Sequence, residues 1–300
     1  MSGKVIILGD VMVDEYLHAD PVGVSDEAPV AVLDWVDTRR MLGGMLNAAA
    51  SLRTFGLQVL ALGIAGADEA GQYVRDECGR LGIDVRLFED GRTTTVKTRI
   101  VSRGDFLARL DTEQTQQISP EVARLALDAA HQGLPQASAL VISDYAKGFC
   151  SPALVRDCLE AARAIGVPTV VDAKPELLRQ CAGATWIKPN RHEAIELARS
   201  LDVPRGSNWE DFALRLGAAM GCSVLLTLDT EGMVLFSRTD NSTRSIPAIG
   251  GKAGYSGAGD VALAALIAGV ARKAAPEGII SGIEAALARA DDSAGTLTLR

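Results

Sequence analysis

Aromatic residues are scarce, at 4% of a 300-residue chain, which argues against a binding module built on aromatic anchors. Histidine is scarcer still. His18, His131 and His192 are the whole supply, and they form neither an HxxxH pair nor a Cys/His cluster, which argues against a structural zinc site. The five cysteines, at 78, 150, 158, 181 and 222, contain no CxxC pair and are odd in number. They read as reduced thiols packed as small apolar groups, and a cytoplasmic setting is expected. No apolar run reaches the roughly 18 residues of a membrane span. The opening apolar stretch stops at Asp10, too early for a signal peptide. Positive charge is not in surplus either: 30 basic against 38 acidic residues give a net charge of −8. A bulk electrostatic grip on nucleic acid or an anionic membrane is thereby disfavoured. An anionic small molecule held by a few converging Lys and Arg side chains is not. Familiar phosphate and hydrolase signatures are missing too. There is no GxxxxGK[ST] and no GxSxG, and Gly63-Ile64-Ala65-Gly66 lacks the third glycine of a dinucleotide fingerprint.

What the chain does have is 48% hydrophobic residues, 23% charged residues and 30 glycines, the mix of an α/β enzyme with many tight strand–helix turns. Strand patterns over 4–8, 59–63, 84–88, 139–143, 168–171, 185–187 and 223–228 alternate with helix patterns over 46–55, 72–81, 120–132, 151–165, 209–220, 257–270 and 276–288. Such alternation predicts a mostly parallel sheet with helices on both faces. Residues 233–237 and 243–247 read as a small hairpin. Two β-rich stretches, about 11–38 and 93–111, lack intervening helices and are expected to form a β-lid over the sheet. The expected unit is one α/β domain, 1–300, carrying that lid.

Polar residues stand where the predicted strands end: Asp10, Asp144, Asp172, Asn190 and Thr227 with Asp229. Open α/β sheets bind ligands outside the carboxyl ends of their strands. One such Asp would be an ordinary helix cap; five in register predict a polar cleft. Gly254-Tyr255-Ser256-Gly257-Ala258-Gly259-Asp260 then leads into the apolar run 261–270. Small residues let a backbone approach a phosphate, and the following helix offers free N–H groups. Asp260, in the first turn, is placed to take a proton from an attacking hydroxyl. An N-terminal helix Asp beside a flexible turn accounts equally well for this stretch alone.

A resemblance narrows the choice. Gly43-Gly44-Met45-Leu46-Asn47-Ala48-Ala49 resembles the first signature of the ribokinase-like (PfkB) sugar kinases, and Gly257-Ala258-Gly259-Asp260 their second, in the right order and at the right separation. The resemblance runs from about residue 4 to 290. Within the family it is closest to bacterial D-glycero-D-manno-heptose 7-phosphate kinases. Gly9-Asp10-Val11-Met12-Val13-Asp14, Thr95-Val96-Lys97-Thr98-Arg99, Arg109-Leu110-Asp111, Asp172-Ala173-Lys174 and Lys188-Pro189-Asn190 support this, and Ser143-Asp144-Tyr145-Ala146-Lys147-Gly148 is the most diagnostic piece.

The resemblance implies a ribokinase-like α/β/α sandwich that transfers the γ-phosphoryl of ATP, with Mg²⁺, to the anomeric hydroxyl of heptose 7-phosphate. Asp260 would be the base, and the amides of Gly257, Ala258 and Gly259 an anion hole. Asp10, Asp14, Gly43, Gly44, Asn47 and Asp144 would hold the sugar. Lys97, Arg99, Arg109, Lys147 and Lys174 are candidates for its 7-phosphate. Asn190 and Glu193 would place Mg²⁺ through water, and Thr227, Asp229 and Gly232, with Gly257 and Gly259, would border the nucleotide. A homodimer through the β-lid is expected by the same analogy. Departures from the pattern are Gly254, where the family usually carries Asp, the bulky Tyr255, and a charged end at 288–295. They keep two alternatives open: a family kinase with another acceptor, and a phosphosugar-binding homologue with weak turnover. The adenylyltransferase motif HxGH, fused to many heptose kinases, is absent, so only the kinase step is expected.

Overall fold

Four apolar residues in a row need cover on both faces, and the first strand has it: Val5, Ile6 and Ile7 show no exposed surface. A computed structural model describes residues 3–248, 257–293 and 296–298. Strand β1 (Lys4–Gly9) leads into a long hairpin, β2 (Val11–Val24) and β3 (Ala31–Gly44). Next come α1 (Met45–Thr54), β4 (Gln58–Ile64), α2 (Glu69–Leu81) and β5 (Asp84–Phe88). A second hairpin, β6 (Thr95–Ser102) and β7 (Asp105–Thr112), precedes α3 (Pro120–Gly133) and β8 (Ala137–Ser143). The chain continues through α4 (Pro152–Ala164), β9 (Thr169–Asp172), α5 (Pro175–Leu178), β10 (Trp186–Ile187), α6 (Arg191–Ser200) and α7 (Trp209–Met220). Strands β11 (Ser223–Thr227), β12 (Met233–Ser237) and β13 (Ser242–Ile246) follow, then α8 (Ala258–Ala271), α9 (Pro276–Arg289) and a short hairpin, β14 (Asp291–Ser293) with β15 (Thr296–Thr298).

The main sheet has nine strands in the order β13-β12-β11-β10-β9-β8-β1-β4-β5. Only the β11–β12 and β12–β13 pairs are antiparallel. Helices α1, α2, α8 and α9 cover one face. Helices α3 to α7 cover the other. Helix α8 is apolar all round because it lies between α1, α9 and the sheet; Leu263, Leu266 and Ile267 are fully buried there. From β1 the chain builds outward through β4 and β5, then returns to β8 and builds the opposite way. The order therefore reverses between β1 and β8, where an open sheet leaves a crevice.

The two β-rich stretches form a separate four-stranded sheet, β3-β2-β6-β7. Here β2 pairs antiparallel with β3 and parallel with β6. The lid is longer than expected: β3 runs through the end of the 11–38 window to Gly44, so the lid strand passes directly into α1. Three elements had no counterpart in the sequence reading: α5, α6 and the β14–β15 hairpin. Helix α6 is masked in the sequence because Asn190 and Glu193 fit a ligand motif, whereas they also form a capping box. Among the described residues no helix is long and apolar enough to cross a membrane. All five cysteines are free and buried, and burial pushes the thiols of Cys78, Cys158, Cys181 and Cys222 up to about 12.

Candidate active site

At the crevice the ends of β1 and β8 lie side by side, with Asp10 N–H donating to the Ser143 carbonyl at 3.2 Å. The Asp10 carboxylate is 1% exposed and faces the loop after β8. Its Oδ2 accepts from the amides of Tyr145 (2.7 Å) and Lys147 (3.0 Å), and its Oδ1 from that of Phe149 (3.2 Å). Asp10 thus organises a backbone loop rather than facing the cleft with free oxygens. Asp144 accepts from the amides of Ala146 at 3.0 Å and Lys174 at 3.4 Å. Burial first, and the neighbouring Asp10 charge second, push its carboxyl up to about 6.

Asp260 lies in the first turn of α8, which follows the capping Gly257 and opens with Ala258 and Gly259. A helix start leaves N–H groups without partners in the preceding turn, so this backbone can receive an anion. Asn47 on α1 donates to Asp260 Oδ2 at 2.7 Å, and the Tyr145 hydroxyl donates to Oδ1 at 3.3 Å. Below the turn, Lys188 Nζ pairs with Asp172 Oδ2 at 3.1 Å; the two side chains are 7% and 15% exposed. Burial raises the Asp260 carboxyl above the usual range, while Lys188, Asn47 and Tyr145 oppose the rise. Burial also pushes Asp172 up to about 6. Lys188 stays an ammonium: burial works against its charge, but Asp172, Glu193 and Asp260 outweigh it. The result is a carboxylate of increased basicity at a helix N-terminus, with a buried cation nearby. That arrangement can take a proton while negative charge passes to an adjacent group.

Beside Asp260 stands Asp14 on β2, whose charge also raises the Asp260 carboxyl. Gly43 and Gly44 bring the lid strand into α1 within this corner. A Cβ on Gly43 would meet Asp14 Oδ2 at 2.4 Å, and one on Gly44, at φ 56°, would meet the Asp10 carbonyl at 2.5 Å. The Arg99 guanidinium holds Asp14 at 2.5 Å and lies 5.3 Å from the centre of the Tyr16 ring. Lys97 contacts Asp111 at 3.1 Å and Glu113 at 3.3 Å, and Lys147 contacts the same Glu113 oxygen at 2.8 Å. These lysines, with Lys147 first, hold the Glu113 carboxyl below its ordinary range. Arg109 reaches Asp111 at 3.0 Å but is more than half exposed. Lys174 pairs with Glu193 at 2.8 Å.

On the far side of Lys188, Asn190 caps α6. Its Oδ1 accepts from the Glu193 amide, and Glu193 Oε2 accepts from the Asn190 amide, both at 2.9 Å. Both Glu193 oxygens therefore have partners, and the pair fits a divalent cation held through water. Magnesium, which keeps several waters and leans on nucleotide phosphates, suits such a place. Thr227 bridges to Asn190, so it sits at the same edge. Asp229 is largely exposed, 3.9 Å from Arg191. The Gly232 carbonyl accepts from the Leu228 amide at 2.9 Å. Gly254 and Tyr255 lie outside the described residues. Asp172, expected at the cleft as a strand-end carboxylate, is there on Lys188; Tyr145, Lys188 and the buried Arg92 carry no role in the sequence reading. Arg92 ties Asp90 to the Lys147 and Gln116 carbonyls. Tyr145 lies in the diagnostic Ser143–Gly148 piece and Lys188 directly follows β10, so position could have flagged both. Nothing in the sequence flagged Arg92.

Comparison with known proteins agrees with this geometry. Residues 4–297 match the family described as pfkB family carbohydrate kinase. The chain is 34% identical to the bifunctional protein HldE of Azorhizobium caulinodans, over 97% of this chain and 61% of that protein. It is 35% identical to the HldE of Caulobacter vibrioides, over 90% of this chain and 56% of that protein. The chain thus spans little more than half the length of these curated relatives. In structure it resembles phosphofructokinase-2 from Escherichia coli in complex with substrates and products, with a TM-score of 0.79, 18% identity, and coverage of 100% of this chain and 96% of that one. A carbohydrate kinase from Agrobacterium tumefaciens gives a TM-score of 0.74, 20% identity, and coverage of 99% and 93%. With a ribokinase-like sheet, a carboxylate at the start of α8 and a family match along nearly its whole length, the chain belongs to the pfkB family of carbohydrate kinases and is a sugar kinase phosphotransferase.

Proposed function

We propose that this kinase transfers the γ-phosphoryl group of ATP to the anomeric hydroxyl of D-glycero-D-manno-heptose 7-phosphate, giving heptose 1,7-bisphosphate and ADP. One observation carries the reading. Lys97 on the lid and Lys147 on the core loop converge on one Glu113 oxygen, at 3.3 and 2.8 Å. Two largely buried ammonium groups from different layers, sharing one anion beside the acceptor corner, suit the phosphate end of a phosphosugar. A neutral sugar has no use for them. Arg99 and Arg109, on facing positions of β6 and β7, extend the same field.

In this reading Asp14, Asn47 and the backbone at Gly43 and Gly44 hold the sugar hydroxyls. The anomeric oxygen loses its proton to Asp260 as it bonds to the γ-phosphorus, and the bond from that phosphorus to the bridging oxygen breaks to release ADP. The N–H groups of Gly257, Ala258 and Gly259, with the Lys188 ammonium, face the charge spreading over the transferring oxygens. Magnesium, when bound, neutralises nucleotide phosphate charge; Asn190 and Glu193 would hold it through water. Thr227, Asp229 and Gly232 would border the nucleotide. Closure of the lid would exclude water as a competing acceptor.

The buried, unpaired thiols suit a cytoplasmic setting. The lid also bears exposed Val22, Val24, Val32, Trp35, Phe106 and Leu110. A lid-to-lid homodimer would cover this apolar surface. The deciding measurement is ADP release with ATP and Mg²⁺ on heptose 7-phosphate, fructose 6-phosphate, ribose and fructose, with Asp260→Asn as control. The reading requires turnover on the heptose phosphate that is lost in the variant. Preferential turnover on another acceptor would overturn the substrate and leave the kinase chemistry in place.

A further inference from the structure

We propose that Tyr145 is a positioning residue for the catalytic carboxylate of Asp260, and that Asp10 acts on catalysis by holding Tyr145 in place. Asp10 binds the amides of residues 145, 147 and 149, which alternate along the loop. One buried carboxylate thereby fixes the backbone of the whole turn. Ala146, between two of these amides, adopts φ 56°, a conformation that a residue bearing a Cβ holds only under constraint. Asp144 supplies a further constraint by accepting from the Ala146 amide.

The clamped turn sends the Tyr145 hydroxyl to Asp260 Oδ1 at 3.3 Å, while Asn47 holds Oδ2 at 2.7 Å. With one donor on each oxygen, the carboxylate plane is fixed, and the remaining lone pairs are the ones left for an incoming hydroxyl proton. Asn47 comes from α1 and Tyr145 from the loop after β8, so the base is set by two elements other than its own helix. Fixing the proton acceptor in a productive orientation is worth rate even where a donor, here Tyr145, never touches substrate. Asp10, with both oxygens taken by backbone amides, is thereby assigned to this support and not to the sugar.

The proposal rests on the kinase chemistry of Asp260 and not on the choice of sugar. Three charges face Asp260 besides its two donors: Lys188 after β10, Asp172 through Lys188, and Asp14 on β2 with its Arg99 partner. None of them is altered by Tyr145→Phe, which removes one oxygen. Loss of a donor to a carboxylate raises its titration midpoint. The test follows the Asp260 carboxyl by ¹³C NMR in wild type and Tyr145→Phe, with no nucleotide or acceptor present, the signal being identified by its loss in Asp260→Asn. The expected result is an upward movement of the midpoint. With whichever acceptor the enzyme turns over, the acid limb of the kcat profile should move the same way, and kcat should fall about tenfold with KM little changed. Asp10→Asn should lower kcat in the same sense, and combined with Tyr145→Phe it should add less than its separate effect. An unmoved Asp260 midpoint in Tyr145→Phe overturns the proposal, even if Asp10→Asn fails to fold. Failure of heptose 7-phosphate as acceptor leaves the NMR result standing and counts only against the substrate.

Discussion

Asp144→Asn should make the protein more stable at alkaline pH and leave it nearly unchanged in acid. The Asp144 carboxyl lies beside buried Asp10 and is raised from 3.8 to about 6, by burial first and the Asp10 charge second. That rise corresponds to at most about 3 kcal/mol between its protonation states. Because the folded-state value lies above the unfolded one, the native protein binds this proton more tightly. The associated stability is fully present below about pH 4 and is lost as pH rises through about 6. An asparagine has no proton to lose, so the variant escapes that decline. Its amide oxygen can keep the bond from the Ala146 amide, and its NH₂ can donate to Asp10. It gives up the long contact from the Lys174 amide, at 3.4 Å, which offsets about 1 kcal/mol of the gain. The net expectation is about 1–2 kcal/mol at pH 8, or a rise in Tm of roughly 2–6 °C, and no gain at pH 4. Thermal unfolding followed by tryptophan fluorescence across pH 4–8 measures the difference directly. A Tm difference that is the same at both ends of the range, or one that becomes more negative as pH rises, would refute the reasoning. Asp172, also raised to about 6, makes both proteins decline in the same direction, so it cancels in the comparison.

If Lys147 holds the acceptor's phosphate as proposed, Lys147→Met should raise KM for a phosphosugar acceptor about tenfold or more and change kcat little, because a contact made before and during transfer would be lost; steady-state kinetics against acceptor concentration decides it. Asn190→Ala breaks the capping box of α6 and should cost about 1 kcal/mol, seen as a Tm lowered by roughly 2–4 °C. Gly44→Ala should be far more disruptive, since its Cβ would come within 2.5 Å of the Asp10 carbonyl at a backbone angle of φ 56°. A soluble, fully active Gly44→Ala protein would contradict the close packing described for that corner. Trp35→Glu should lower the molecular mass measured by light scattering if the lids pair.

The layered sheet was legible because buried parallel strands write themselves as short apolar runs. The segments 84–88, 209–220 and 233–237 match β5, α7 and β12 residue for residue. Ser119, Ser151 and Asn208 fixed helix starts through local hydrogen bonds, which sequence spacing carries. Asp260 was legible for a similar reason, as a local motif of turn and helix. The surroundings of Asp260 were not. Tyr145 and Asn47 reach it from 115 and 213 residues away, and only the reversal of strand order brings them together. Asp10 illustrates the same limit. A carboxylate at a strand end looks like a ligand for sugar, and nothing local tells that three amides from residues 145–149 will occupy it. Asn190 and Glu193 carry two meanings in one spacing, a helix cap and a cation-facing pair, and the spacing alone cannot separate them.

The lid leaves the core twice. The first excursion departs after Asp10 and comes back at Met45, whose amide bonds the Asp10 carbonyl at 3.1 Å; the second runs from Thr95 to Thr112. Among the described residues, its two halves join in one sheet through the parallel β2–β6 register, which pairs Met12 with Thr95 and His18 with Val101. Parallel pairing between distant segments closes a long loop and is slow to form. The lid can therefore zip only after β1, β4 and β5 have brought the two departure points together. Its amides are expected to be among the last to gain protection during refolding and among the first to exchange in the native state.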